Sequence, residues 1–557
     1  MKGWRKSVAS GRAVTLLVLM CLIGSLSSCS GSGDKPTYPV GGTVSGLSAT
    51  GLVLANGSDT VQVAANAGSF MFSMRLPAGA TYAVTIQAQP AGQTCVVGHG
   101  TGAVASVAIN NVSISCTGPW VWKSGADTKN AAGVYGTRGV AAAGNVPGAR
   151  AGSMTWTDGA GNFWLFGGTY FDAKGDLFFL NDLWRYTPSS GLWTWISGSD
   201  LPVATYGTPG VYGVQGQASP TSMPGARASG ASWIDHAGNL WLFGGFGYDS
   251  ANLFELNDLW EYSPATGEWT WVSGPSSASI PTAVYGTQGV AAAANLPPQR
   301  QGCAAWIDST GNLWLFGGTG VIPGPGANMN TVGGLNDLWK YSPVTGEWTW
   351  VSGSSSVNPA ASYGTLGAAA SANVPDGRYA AVSWIDSADN LWLFGGSTLS
   401  GFRNDLWKFT PSTNQWTWVS GPNTPTGLGV YGTLGSSAAA NVPSSRVAAA
   451  SWIDASGNFW LFGGEGVSNP QTSGLFNDLW MFSPGTGQWT WVSGSSSGDV
   501  AGVYGTLGIA APTNAPGGRA SSAAWIDGAG NLWLFGGTGT SGPVAGSELN
   551  DLWEYQR

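Results

Sequence analysis

Two segments of the chain set aromatic rings beside carboxylates. One reads Tyr170-Phe171-Asp172-Ala173-Lys174-Gly175-Asp176-Leu177-Phe178-Phe179, and the other Phe246-Gly247-Tyr248-Asp249, followed by Phe254-Glu255. A flat ring stacks on the CH groups of a sugar, and a carboxylate accepts hydrogen bonds from its hydroxyls. Tyr170, Phe171, Asp172, Asp176, Tyr248 and Asp249 are therefore candidate ligand-binding residues. Local packing of a long loop is the competing reading. A second set is cationic and periodic: Arg150, Arg227, Arg300, Arg378, Arg446 and Arg519 recur in similar surroundings. They could form a positive ring for an anionic ligand. A repeated loop anchor, bonded to Asp405 and its equivalents, is the better reading, because a binding site breaks repeat symmetry and these residues keep it. The Asp-x-x-Gly-Asn segments could recruit calcium but fit hairpin turns better, with Asp capping and Gly taking the left-handed conformation. A recurring Tyr-Gly (Tyr135, Tyr206, Tyr285, Tyr363, Tyr431 and Tyr504) reads as loop packing.

Other chemistry is ruled out by what the chain lacks. It has two histidines, His99 and His236, and only the second lies in the repeated region. One histidine is too few for a His-based zinc site there, and His236 lies in a short turn on the face away from the long loops, which argues against a Ser-His-Asp triad. Cys303 occupies a slot held elsewhere by Met154, Gly230, Ala381, Ala449 and Ser522, and reads as a buried small filler. No metal or cofactor is expected. The net charge is −8 and no run of like charge occurs, which argues against nucleic acid as a partner.

The elements that hold these residues follow from one unit repeated six times. In its clearest copy, Arg378 opens a run of small residues ending in Trp384-Ile385-Asp386. Asn390-Leu391-Trp392-Leu393-Phe394-Gly395-Gly396, Asn404-Asp405-Leu406-Trp407-Lys408-Phe409 and Trp416-Thr417-Trp418-Val419-Ser420-Gly421 follow. Each piece has the length and residue types of a strand, with turn residues between. The order resembles a kelch repeat, which implies an all-β fold: a six-bladed kelch-type β-propeller over residues 118–557, similar to the central domain of galactose oxidase. Tryptophan usage agrees. Each unit uses five, so six units need 30 of the 31 present, and the spare is Trp4 in the leader. The last unit ends at Asn550-Asp551-Leu552-Trp553-Glu554-Tyr555 without its tryptophan pair, and Trp120-Val121-Trp122 carries that pair ahead of the first unit. The sequence predicts that this strand completes the last unit and closes the ring. The long loops, which join the second strand to the third and one unit to the next, share one face, where binding is expected. The copper-radical site of galactose oxidase needs two histidines and a Tyr cross-linked to Cys. With one His and one Cys in the repeats, this chain cannot build it.

The N-terminus carries Lys2, Arg5, Lys6 and Arg12, an apolar run from Ala13 to Leu26, then Leu26-Ser27-Ser28-Cys29. The run is too short to span a membrane and typical of a signal. Its end resembles a bacterial lipobox, which implies cleavage after residue 28 and lipidation of Cys29; an ordinary secretory signal is the alternative. Residues 29–37 read as a tether. Residues 38–117 alternate apolar and polar side chains over short strands and read as a small β-sandwich-like domain. In an oxidising compartment its Cys95 and Cys116 are expected to pair. The expectation is an exported, lipid-anchored binding or adhesion module of the bacterial cell envelope, at the outer membrane or cell surface, with a glycan or protein ligand. A sugar-acting, epimerase-like propeller enzyme and a purely structural surface scaffold are the alternatives.

Overall fold

The computed structural model describes residues 36–557, apart from 48–49, 66, 91–92, 118–119, 173, 201–205, 279–281, 324–330 and 541–546. The segment expected to be a signal, most of the expected tether and Cys29 therefore lie outside the described residues. The described chain is all-β, arranged in ten sheets.

Residues 37–117 form two four-stranded sheets and one two-stranded sheet around a separate core that includes Val44, Leu54, Val84 and Ile114. Val40–Ser45 runs parallel to Ile109–Thr117, so the two ends of this domain are bonded side by side. Thr94–Gly98 flanks Ile109–Thr117 on the other side and sets Cys95 opposite Cys116, with the sulfurs 2.00 Å apart, at disulfide distance.

The remaining sheets repeat one antiparallel meander. In the fourth unit its strands are Val382–Ile385, Leu391–Thr398, Gly401–Thr410 and Gln415–Ser420. The second strand explains its own composition: Leu391 and Leu393 point to one side, Trp392 and Phe394 to the other, and all four are buried. Such a strand needs apolar neighbours on both faces. The Gly-Gly pair that follows creates a register shift between Phe394 and Gly396. Gly395 has φ 67°, and a Cβ there would come within 2.7 Å of the Arg446 carbonyl oxygen of the next unit. Only glycine fits this close approach.

Neighbouring units share cores. One apolar cluster joins units one and two, and others join two and three, three and four, four and five, and five and six; a sixth joins unit six to unit one. Two sets of hydrogen bonds follow the same cycle. Inner-strand tryptophans Trp156, Trp233, Trp306, Trp384, Trp452 and Trp525 each donate Nε1–H to a second-strand carbonyl of the next unit, at 3.2–3.3 Å, and Trp525 reaches back to Trp164. Two residues beyond each arginine, Gly152, Ser229, Gly302, Ala380, Ala448 and Ser521 pass backbone N–H to C=O from unit to unit at 2.8–2.9 Å, and Gly152 N–H donates to Ser521. The inner strands line a common cavity of about 330 Å³. Trp120–Ser124 pairs antiparallel with Ser547–Tyr555, placing Trp120 opposite Tyr555 and Trp122 opposite Trp553, as the tryptophan count predicts.

Candidate functional site

The periodic charges are consumed inside the units. Arg227 is fully buried and grips Asp258 with both Nη atoms, at 2.6 and 2.8 Å. Its remaining N–H groups donate to the Gly225 and Gly244 carbonyls. Asp258 Oδ2 also accepts Tyr212 Oη–H and Trp260 Nε1–H, each at 2.7 Å. Arg150–Asp182, Arg300–Asp337, Arg378–Asp405, Arg446–Asp478 and Arg519–Asp551 repeat the pairing. Burial alone would raise the Asp258 carboxyl; Arg227 and the hydrogen bonds outweigh it and hold the group below the ordinary carboxylate range. The arginines are loop anchors and present no positive ring to a ligand.

The tyrosine of this network in unit two is Tyr212, not Tyr206. Every network tyrosine precedes its arginine by 15 residues, as 227 − 212 and 150 − 135 show. Tyr206 is instead 51% exposed and adopts φ 78°, a conformation unusual for a bulky residue. Unit four departs differently: Asp376 bridges Arg378 and Arg403, where the other units have small residues or Pro in place of the Asp and Leu or Phe in place of the Arg. The two changes compensate each other within one buried network.

The Asp turn of unit four is equally self-contained. Asp386 Oδ1 accepts the Ala388 and Asn390 amides at 3.0 Å, and Oδ2 accepts Trp392 Nε1–H at 2.8 Å. Among the described residues, no three His, Cys, Asp or Glu side chains converge as a metal-binding group. Cys303 corrects the sequence reading in two ways. Its slot in unit one is held by Ser153, three residues after Arg150, while Met154 points into the core between units. Cys303 itself is only partly buried. Burial pushes its thiol up to about 12, which makes it a poor nucleophile.

The six candidate residues lie in two segments, four in unit one and two in unit two. Tyr170 stands opposite Phe178 on paired strands, ring centroids 5.9 Å apart, and Phe178 lies 6.1 Å from Tyr206. Asp172 closes the hairpin tip: its Oδ1 accepts the Lys174 and Asp176 amides at 2.8 and 2.9 Å. The bond from Asp176 leads the effects that hold its carboxyl below the ordinary value. Asp176 is exposed, and Phe171 is half-buried beside it. Tyr248 in unit two is half-buried against Gly207, where a Cβ would meet its ring at 2.8 Å. Asp249, read as a rim carboxylate, is 1% exposed. Its oxygens accept the Ala251, Asn252 and Ala278 amides at 2.6–2.8 Å, so it fastens a loop and faces no ligand. Phe178 and Tyr206 join Tyr170 in one row of aromatic rings instead. The sequence signal for Tyr206 was available in the doubled Tyr-Gly of its loop, Tyr206-Gly207 and Tyr212-Gly213.

One acid stands out by its environment. Glu548, 3% exposed, receives only long bonds among the described residues, from Thr169 and Thr538 hydroxyls at 3.4 and 3.3 Å. Burial pushes its carboxyl up to about 7. Between pH 4.5, the unfolded value, and about 7, the folded protein binds the extra proton. Stability should therefore fall as pH rises through that window, by on the order of 3 kcal/mol. Glu548→Gln should flatten this part of the stability–pH profile in denaturant titrations; an unchanged slope would show that the group titrates normally.

No protein-family model matches the chain, and no curated protein matches it in sequence.

Proposed function

We propose that residues 118–557 form a six-bladed kelch-type β-propeller, lipid-anchored through Cys29 at the outer membrane or cell surface of a bacterium, that serves as a glycan-binding or adhesion module. Three observations support the propeller: apolar clusters that run from each unit to the next and back to the first, head-to-tail hydrogen bonds along the same cycle, and one cavity shared by all six inner strands. The binding role rests on a single contrast. The charges that recur in every unit are spent on internal bonds, whereas the rim rings and carboxylates of Tyr170, Phe171, Asp172, Asp176, Phe178 and Tyr206 belong to units one and two alone.

The test uses the soluble chain from residue 36 onward on a glycan array, followed by titration of any sugar retained. Phe171→Ala with Tyr206→Ala should weaken binding at least tenfold, about 1.4 kcal/mol. Stability should stay within about 0.5 kcal/mol of the parent for the exposed change, Tyr206→Ala. A parent that retains no glycan, or a double variant that binds as well as the parent, overturns the proposal. The enzymatic alternative has one observation in its favour, the near-neutral Glu548, since proton transfer uses groups of that acidity. Turnover of a bound sugar that is lost in Glu548→Gln would decide for it.

A further inference from the structure

The small domain rests on unit five, and the sequence records the contact. Each unit carries a turn glycine that donates its N–H to the carbonyl of an outer-strand tryptophan: Gly139, Gly216, Gly289, Gly367, Gly435 and Gly508. A Cβ on Gly435 would meet Val96 Cγ2 at 2.7 Å and Ser115 Cβ at 3.0 Å, whereas the other five have nothing within 4 Å. The third strand of unit five departs from the repeat at the same place. Opposite the first tryptophan of the second strand, the other units place Arg185, Glu261, Lys340, Lys408 and Glu554, while unit five places Met481 opposite Trp460. Lys340 and Lys408 lie over Trp314 and Trp392, each 5.6 Å from the ring, and cover that surface themselves. Met481 carries no charge to bury under a second domain.

Between the small domain and units five and six lies a cavity of about 380 Å³, within the range of small-molecule sites, which favour domain interfaces. Met481 and Val492 give it an apolar wall, and Ser115, Ser437 and Thr490 bring hydroxyls. Arg557 is its only charged lining residue among those described. The guanidinium stacks 4.6 Å from the Trp460 ring and donates Nη2–H to Asp454 at 2.7 Å. Arginine has five N–H donors in a fork suited to a carboxylate, and Asp454 accepts from one nitrogen only. We propose that this seam is a binding site for a small organic carboxylate, its apolar body on Met481 and Val492 and its charge on Arg557.

The probes are hexanoate and benzoate, with 1-hexanol as the uncharged control, titrated calorimetrically into the soluble chain from residue 36 onward. One-site binding of an acid, at least tenfold tighter than the alcohol, is expected. Arg557→Ala should remove that preference, and Met481→Glu, which places there the residue of units two and six and sets a like charge beside the bound carboxylate, should abolish binding. Ser437→Phe fills the cavity from an exposed position and should do the same in a chain of parental melting temperature. No saturable binding of either acid up to millimolar concentration, equal binding of acid and alcohol, or parental affinity in Ser437→Phe would each overturn the proposal. Glycan binding at the rim should be unchanged in these variants, so the two proposals fail independently.

Discussion

Arg227→Leu is expected to destabilise the protein by about 3–5 kcal/mol, because it strands a carboxylate where water cannot reach it. Asp258 is 1% exposed, and both of its oxygens face the Arg227 guanidinium. The Tyr212 and Trp260 hydrogens that remain cannot neutralise a charge. Arg227→Lys should recover little, since an ammonium cannot make the paired bonds or reach both the Gly225 and Gly244 carbonyls. Pairing Arg227→Leu with Asp258→Leu should cost less than the single change, the mark of a pair whose value lies in mutual compensation. Urea titrations of the four proteins give the coupling energy directly. A loss below about 1 kcal/mol for Arg227→Leu would mean that the carboxylate finds water or another partner, and the anchor reading would fail. Because the pairing recurs in all six units, Arg519→Leu should behave the same way, with no special effect on ligand binding in the protein that stays folded.

The second large effect is expected where the strand ahead of the first unit pairs with the last unit. Trp120 is 4% exposed, 5.2 Å from Phe462 of unit five and 5.1 Å from Tyr555 of unit six, measured between ring centroids. Trp122 meets Tyr504 edge-on at 5.1 Å, and its carbonyl accepts the Gly508 amide. Trp120→Ala should cost about 3–5 kcal/mol through lost burial and the cavity left behind. Adding Trp122→Ala should also loosen the strand itself and leave Ser547–Tyr555 as an open sheet edge, prone to aggregation. Thermal unfolding and light scattering of the double variant measure both consequences. A melting temperature close to the parent's would contradict the assignment of this strand to unit six.

Periodic features were the easiest to read from the sequence, because each was printed six times. The arginine anchors, the turn aspartates and the strand that completes unit six all follow from residue order and a tryptophan count. Features that depend on a single distant contact were not legible. Asp249 looks like a rim carboxylate until Ala278, 29 residues later, brings an amide to it. Glu548 occupies the same strand position as Phe179 and Glu255, and only its burial in the folded chain explains its raised pKa. The parallel pairing of Val40–Ser45 with Ile109–Thr117 leaves no local mark, since alternation within a strand does not reveal the direction of its neighbour. Met481 and Tyr206 fall between these cases. Both are departures from the repeat that an exact alignment of the units exposes, and an alignment shifted by a few residues conceals.

The central claim, that six units close into a ring through a strand lying ahead of the first, can be tested by one cross-link. Val121 stands directly opposite Glu554 on the paired strands. In an antiparallel pair the Cα atoms are about 4.5–5.5 Å apart, within the range a disulfide spans. The chain from residue 36 onward, carrying Val121→Cys, Glu554→Cys and Cys303→Ser, should form this bond on mild oxidation. Peptide mapping should then find residues 121 and 554 joined, and the oxidised chain should migrate faster than its reduced form on a denaturing gel. Two free thiols after oxidation of the folded protein, or a bond only between separate chains, would show that the ends do not meet in this way.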